Sequence, residues 1–198
     1  QEFKEFLMSK LTDWQIRELA RNGMITPFLD YGDLDKSKNT EAGRISYGLS
    51  TTGYDIRLSK TYKQPIDIEG IYLNPKLHRS EHWLESAGDT IVIPGKSFVL
   101  ASSLEYIKMP RNVMATALTK STYARIGVFF NVTPIEPGWE GIITVEIANL
   151  GQHPVIVFPD EGVMQLLFEE IQVPERSYAD KGGKYQGQTG ITHAKGEP

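Results

Sequence analysis

The chain has 198 residues, a net charge of −4 and no cysteine. That length suits one domain with a proper core, the acidic balance argues against a general DNA or RNA surface, and the missing cysteines exclude disulfides, thiolate metal sites and cysteine nucleophiles. With 40% hydrophobic and 23% charged residues the composition is that of an ordinary globular protein, no apolar run reaches the length of a membrane span, and Gln1–Leu7 lacks a signal-peptide pattern, so a cytoplasmic protein away from the membrane is expected.

Met8 followed by Ser9-Lys10-Leu11 reads as a natural start, with residues 1–7 an extension or cloning remnant and residues 8–198 a single domain. The first element is a helix. Thr12 caps it, Gln15 completes a capping box, and Leu11 and Ile16 are spaced as a hydrophobic staple. Ile16, Leu19 and Ala20 form its apolar stripe and Gly23 stops it. Residues 30–50 are polar and read as a long, mobile loop.

Beyond that loop the pattern turns to β. Short runs rich in β-branched and aromatic residues fall at 54–58, 90–93, 97–101, 112–119, 128–132, 142–147, 154–158 and 163–168. Pro94-Gly95, Met109-Pro110, Pro137-Gly138 and Asp160-Glu161-Gly162 punctuate them. Many short strands with frequent turns and no βαβ alternation predict a mainly β fold, a distorted barrel or jelly roll. The tail from Tyr178 is polar and holds five glycines. It reads as flexible, yet Lys181, Lys184, Tyr185 and Gln188 among those glycines suit a flap that folds over an anion.

Two segments could carry chemistry. Thr119-Lys120-Ser121-Thr122-Tyr123-Ala124-Arg125-Ile126-Gly127 reads as a short helical turn after a strand. Its cations, hydroxyls and free backbone N–H groups could hold a phosphate chain, although residue types alone favour an ordinary solvated turn. The second segment runs from Pro137 to Ile147. Alternation puts Ile142, Thr144 and Glu146 on one face and Ile143, Val145 and Ile147 on the other. If the apolar trio faces the core, Glu146 faces solvent or a cleft, where a partly buried carboxylate could shuttle a proton. His78 and His82 at i, i+4 lack a surrounding metal motif and read as surface residues.

Taken together, these segments resemble the dCTP deaminase/dUTPase family. The resemblance is carried by Met8–Asp13 with Ile16, by Ile45-Ser46-Tyr47-Gly48-Leu49-Ser50, and by Gly53-Tyr54-Asp55-Ile56-Arg57. It continues through 119–125, Pro137-Gly138-Trp139-Glu140-Gly141 to Glu146, Gly162-Val163-Met164-Gln165 and Lys184-Tyr185-Gln186-Gly187-Gln188-Thr189-Gly190. It implies a dUTPase-like β fold assembled as a homotrimer, with sites between subunits and a tail that closes over nucleotide. Within the family it points to a dCTP deaminase that uses Mg²⁺ on the triphosphate and no zinc. The lack of cysteine meets that point independently, since zinc-dependent nucleobase deaminases need His and Cys ligands.

By this resemblance Glu146 is the general base, aided by Arg125 and Ser121. Lys120, Ser121, Thr122, Tyr178, Lys184 and Gln188 would hold the triphosphate, with Tyr123 and Ala124 in the same segment. Asn131, Val132, Thr133, Glu136, Thr144, Val145 and Gln165 would line base and sugar. The implied partners are dCTP and dUTP, with dTTP as a regulator. Thr119 and Lys120 depart from the usual glycine and arginine, and the loop Val132–Pro137 is short. A dUTPase, a bifunctional enzyme making dUMP and pyrophosphate, and a non-enzymatic nucleotide sensor are the competing readings; the tail and the joint presence of Glu146, Ser121 and Arg125 favour the deaminase.

Overall fold

The computed structural model describes residues 9–30, 43–67, 69–70 and 72–195. Most of the polar loop expected at 30–50, and the extension at 1–7, lie outside the described residues. Helix α1 (Asp13–Arg21) begins as the sequence dictates. The Thr12 N–H donates to Gln15 Oε1 at 3.0 Å, closing the capping box. Leu11, Ile16 and Ala20 are buried, so α1 lies as a lid on the core, and Gly23 ends it at φ +91°.

The remaining elements are mostly strands. They are β1 (Ile25–Thr26), β2 (Gly48–Leu49), β3 (Tyr54–Ile56), β4 (Leu58–Pro65), β5 (Trp83–Ala87), β6 (Ile91–Ile93), β7 (Phe98–Lys108), β8 (Val113–Thr119), β9 (Val128–Asn131), β10 (Glu140–Asn149), β11 (Val155–Val157) and β12 (Met164–Glu170). One helical turn, α2 (Ser121–Ala124), stands between β8 and β9, and a 3-10 turn, Ser80–His82, precedes β5. Strands β5, β4, β7, β10 and β9 lie in that order in one sheet, with β1 paired to the far end of β7. Strands β2, β3, β12 and β8 form a second sheet, and β6 and β11 a small third one. All pairings between these strands are antiparallel. A single cluster of buried side chains links α1 and the three sheets. Among the described residues the sheets do not close into a barrel, and the mainly β, antiparallel arrangement is the expected dUTPase-like β fold.

Strand β10 orients the site. Ile143, Val145 and Ile147 are buried, while Ile142, Thr144 and Glu146 alternate with them at intermediate exposure. The register between β10 and β7 slips between Ile142 and Thr144. There Ser103 Oγ accepts from the Ile143 N–H at 2.9 Å and donates to the Glu105 carbonyl at 2.7 Å. Close by on β7, the fully buried Glu105 carboxylate is met by Arg57 with its backbone N–H and Nε, each at 3.0 Å. Burial still holds the Glu105 carboxyl above its ordinary value, against the pull of Arg57. Removing one partner of such a pair costs about 3–5 kcal/mol, because the other charge is left without compensation. At the end of β10, buried Asn149 donates to the carbonyls of Ile93, Pro94 and His153, fixing the small sheet to the large one.

Candidate active site

A cavity of about 500 Å³ opens over the outer face of β10, a size that accepts a nucleotide-sized ligand. Two segments without regular patterning, residues 73–83 and 188–194, wall it in beside β10 and the loop 132–136. Of the residues that the resemblance implied, Val132, Thr133, Glu136, Thr144, Glu146, Tyr178 and Gln188 line it.

Glu146 stands directly opposite Asn131 in the β9–β10 register. Asn131 Nδ2 donates to Glu146 Oε2 at 3.1 Å. Burial pushes the Glu146 carboxyl above its ordinary 4.5, and the Asn131 hydrogen bond only partly offsets that push. The carboxylate is thereby a stronger base than an exposed glutamate, and one oxygen is oriented by an amide donor. Chemically, this is a proton acceptor on the wall of a largely apolar cavity that also contains Trp83, Phe98, Leu100 and Trp139.

The tail is laid along β10 as a strap. Gln188 pairs with Gly141 in a parallel bridge, and its carbonyl accepts from the Ile142 N–H at 2.7 Å. Its Oε1 accepts from Thr144 Oγ1 at 3.1 Å, and the Thr192 N–H donates to the same hydroxyl at 2.9 Å. Trp139 Nε1 donates to the Tyr185 carbonyl at 3.0 Å, and Tyr178 Oη accepts from the Tyr185 N–H at 3.1 Å. Gly141, at φ +149°, is needed for this approach, since a Cβ there would sit 2.8 Å from the Gln188 nitrogen. The polar composition of the tail concealed these backbone contacts.

Other expected residues lie elsewhere. Val145 is completely buried on the core side of β10, because the alternation that exposes Glu146 turns its neighbour inward. Lys120 Nζ is 2.5 Å from Asp55 Oδ2 and donates also to Ser46 Oγ at 2.9 Å. Asp55 is buried and its carboxyl is raised chiefly by burial, against the pull of Lys120. Gln165 donates to Ser50 Oγ at 2.9 Å on that same side of the molecule. Tyr123 is buried, and its hydroxyl accepts from the Phe158 N–H at 3.0 Å, so it anchors α2 to the core. Ser121, Thr122 and Ala124 on α2, and Arg125 just after it, are exposed and do not line the cavity. Lys184 is exposed, donating to the Lys195 carbonyl.

Thus one chain does not bring Glu146 together with Ser121 and Arg125. Alternation says which face a side chain takes, but not which segments cover that face. Sequence reasoning also missed Trp83, Phe98, His78 and His193, which line the cavity. A tryptophan within the polar run from 79 to 86 was the one available signal.

Comparison with known proteins shows the family. The chain is 45% identical over 184 residues to the dCTP deaminase of Campylobacter hominis, covering 92% of this chain and 93% of that protein. It is 45% identical over 191 residues to that of Acidithiobacillus ferrooxidans, covering 95% of this chain and 100% of that protein. In fold it is similar to the crystal structure of 2'-deoxycytidine 5'-triphosphate deaminase from Agrobacterium tumefaciens, with a TM-score of 0.59 at 18% identity over 82% of this chain. The matched region is 48% of that longer chain. The family model described as dCTP deaminase-like matches residues 10–171, and the chain belongs to that dCTP deaminase-like family.

Proposed function

We propose that the protein hydrolyses the exocyclic C–N bond of dCTP, giving dUTP and ammonia. The observation that carries this reading is Glu146, an oriented carboxylate of raised basicity on the wall of a nucleotide-sized cavity. The similarity to proteins named dCTP deaminase over nearly their whole length supports the substrate. The base sits against β10 and the 132–136 loop, and the strap carrying Gln188 closes over it.

In this mechanism water adds to C4 of the cytosine ring while Glu146 takes one of its protons and passes it to N3. The C4 hydroxyl then passes its proton, through Glu146, to the amino nitrogen as the C4–N4 bond breaks. The amino group leaves as ammonia and the C4 carbonyl forms. Side chains alone activate the water, with no zinc. Mg²⁺ enters with the triphosphate as part of the substrate, held through phosphate oxygens. A base with a raised pKa both accepts a proton readily and returns it within one turnover.

Ser121 and Arg125 complete the site from a neighbouring copy. Their exposure on and just after α2 supports this, as do the exposed apolar Ile126, Phe129 and Leu150 close by in the chain and in the strand pairing. A homotrimer with shared sites satisfies both features. Lys184 and Tyr178 then act on the triphosphate with the strap, dTTP competes for the same pocket as a regulator, and the enzyme works in the cytoplasm.

The test is incubation of the protein with dCTP and Mg²⁺, with ammonia, dUTP, dUMP and pyrophosphate assayed separately. Ammonia and dUTP in equal amounts are expected. Ammonia with dUMP and pyrophosphate makes the enzyme bifunctional, and hydrolysis of dUTP without ammonia makes it a dUTPase.

A further inference from the structure

The strap ends in an aromatic stack that nothing in the proposed chemistry uses. The His193 ring lies 3.8 Å from that of His78, centroid to centroid, at an interplanar angle of 16°. On another side it meets Trp83 at 4.7 Å and 60°, and Trp83 in turn meets Phe98 edge-on at 5.9 Å. His78 belongs to the segment between β4 and β5, so the stack joins two otherwise separate walls of the cavity. His193 Nδ1 is buried without a hydrogen-bond partner.

We infer that His193, stacked on His78 and tilted against Trp83, is a pH-sensitive clasp that holds the C-terminal strap closed over the cavity when its own imidazole is neutral and releases it on acidification. Its consequence for turnover rests on the reading of this cavity as the nucleotide site; the clasp itself does not.

The charges around the stack support that direction. His78 faces His193 across the stack, His82 and Arg79 line the same cavity, and Lys63 of β4 and Glu85 of β5 act on His193 from below. Lys63 and Glu85 lie 3.4 Å apart, so their influences largely oppose each other. Glu146 and Glu136 line the cavity but are bonded or paired to Asn131 and Lys181. A proton on His193 would therefore face a second imidazole in a partly shielded place. Burial and then His78 hold the His193 ring down at about 4, from an ordinary 6.5. The released tail binds the proton more tightly than the clasped one. Closure is thus fully supported above about 6.5 and weakens as pH falls toward 4.

The experiment is hydrogen exchange of the segment 186–194 in the full chain without nucleotide, corrected for intrinsic rates, at pH 7.5 and 5. Wild-type protection is expected to fall at least ~10-fold on acidification, an amount within the range of local opening equilibria. His193→Phe, which keeps a flat ring but no titrating group, is expected to lose that dependence. PH-independent protection in the wild type, or the same fall in His193→Phe, overturns the clasp. If the phenylalanine ring fails to dock at any pH, titration of His193 in the wild type by its ring-carbon shift decides. A value near 4 to 5 upholds the clasp, and one near 6.5 with the strap still protected overturns it. Ammonia release from dCTP is assayed separately, so failure of the clasp and failure of the deaminase reading are distinct results.

Discussion

Glu146 owes its chemistry to three neighbours in the strand pairing. Val145 and Ile147 on either side are fully buried and fix the strand's face, and Asn131 across the ladder orients one carboxylate oxygen. Glu146→Gln keeps shape and hydrogen-bonding reach but removes the basicity. The variant is expected to fold and bind dCTP while releasing ammonia at least ~100-fold more slowly, the usual scale for losing a general base. Near-normal ammonia release from the folded variant would overturn the role. The pH profile follows from the raised carboxyl. In the proposed mechanism deamination needs the ionised form, which a raised pKa postpones to higher pH. The wild-type rate should therefore climb with pH through a point above the ordinary carboxylate value of 4.5. Measuring kcat/KM from pH 4.5 to 8 checks it, and a midpoint at or below 4.5 would mean that another group limits the rate.

At the scale of elements, strands were legible where burial alternates along them. β10, β12, β6 and β9 show such alternation, and each was placed to within about two residues of its bounds. β5 and most of β4 were not, because Trp-Leu-Glu-Ser-Ala and Ser-Lys-Thr-Tyr-Lys-Gln have intermediate or exposed residues on both faces and no apolar rhythm. The first-turn chemistry of α1 was readable because a capping box is local. The strap was not readable as ordered structure, since its hold on β10 comes from backbone groups, from Gly141 and from the polar side chains of Thr144 and Gln188, which carry no hydrophobic signal. Removal of the tail before Tyr178 tests what it contributes. The buried cluster lies in α1 and the sheets, with Tyr178 only packed against it, so the truncated chain should retain a cooperative unfolding transition. It should lose most of its deaminase activity, because Gln188 and the wall at 192–194 go with it. Full activity in a folded truncation would show that the strap is not part of the site.

At the scale of the whole molecule, the decisive fact is that the cavity of one chain holds Glu146 but not Arg125 or Ser121. No local rule in the sequence could report this, since alternation and turn chemistry do not say which segments a strand face meets; only the family resemblance pointed to sites shared between subunits. If the site were complete in one chain, two variants each lacking one of these groups would stay inactive when mixed. If the site is shared around a closed ring, a heterologous interface of the kind that builds trimers, mixing can rebuild it. A subunit carrying Arg125→Ala still offers Glu146, and a subunit carrying Glu146→Gln still offers Arg125. With random reassortment of equal amounts, about one site in four receives both intact groups. Co-expression or co-refolding of the two inactive variants is therefore expected to recover about a quarter of wild-type ammonia release, in a species sedimenting as a trimer. Simple mixing without subunit exchange should recover none, which controls for contaminating activity. No recovery in a verified mixed trimer would place Glu146 and Arg125 in the same chain's chemistry or remove Arg125 from it, and a fully active monomer in sedimentation would end the shared-site reading altogether.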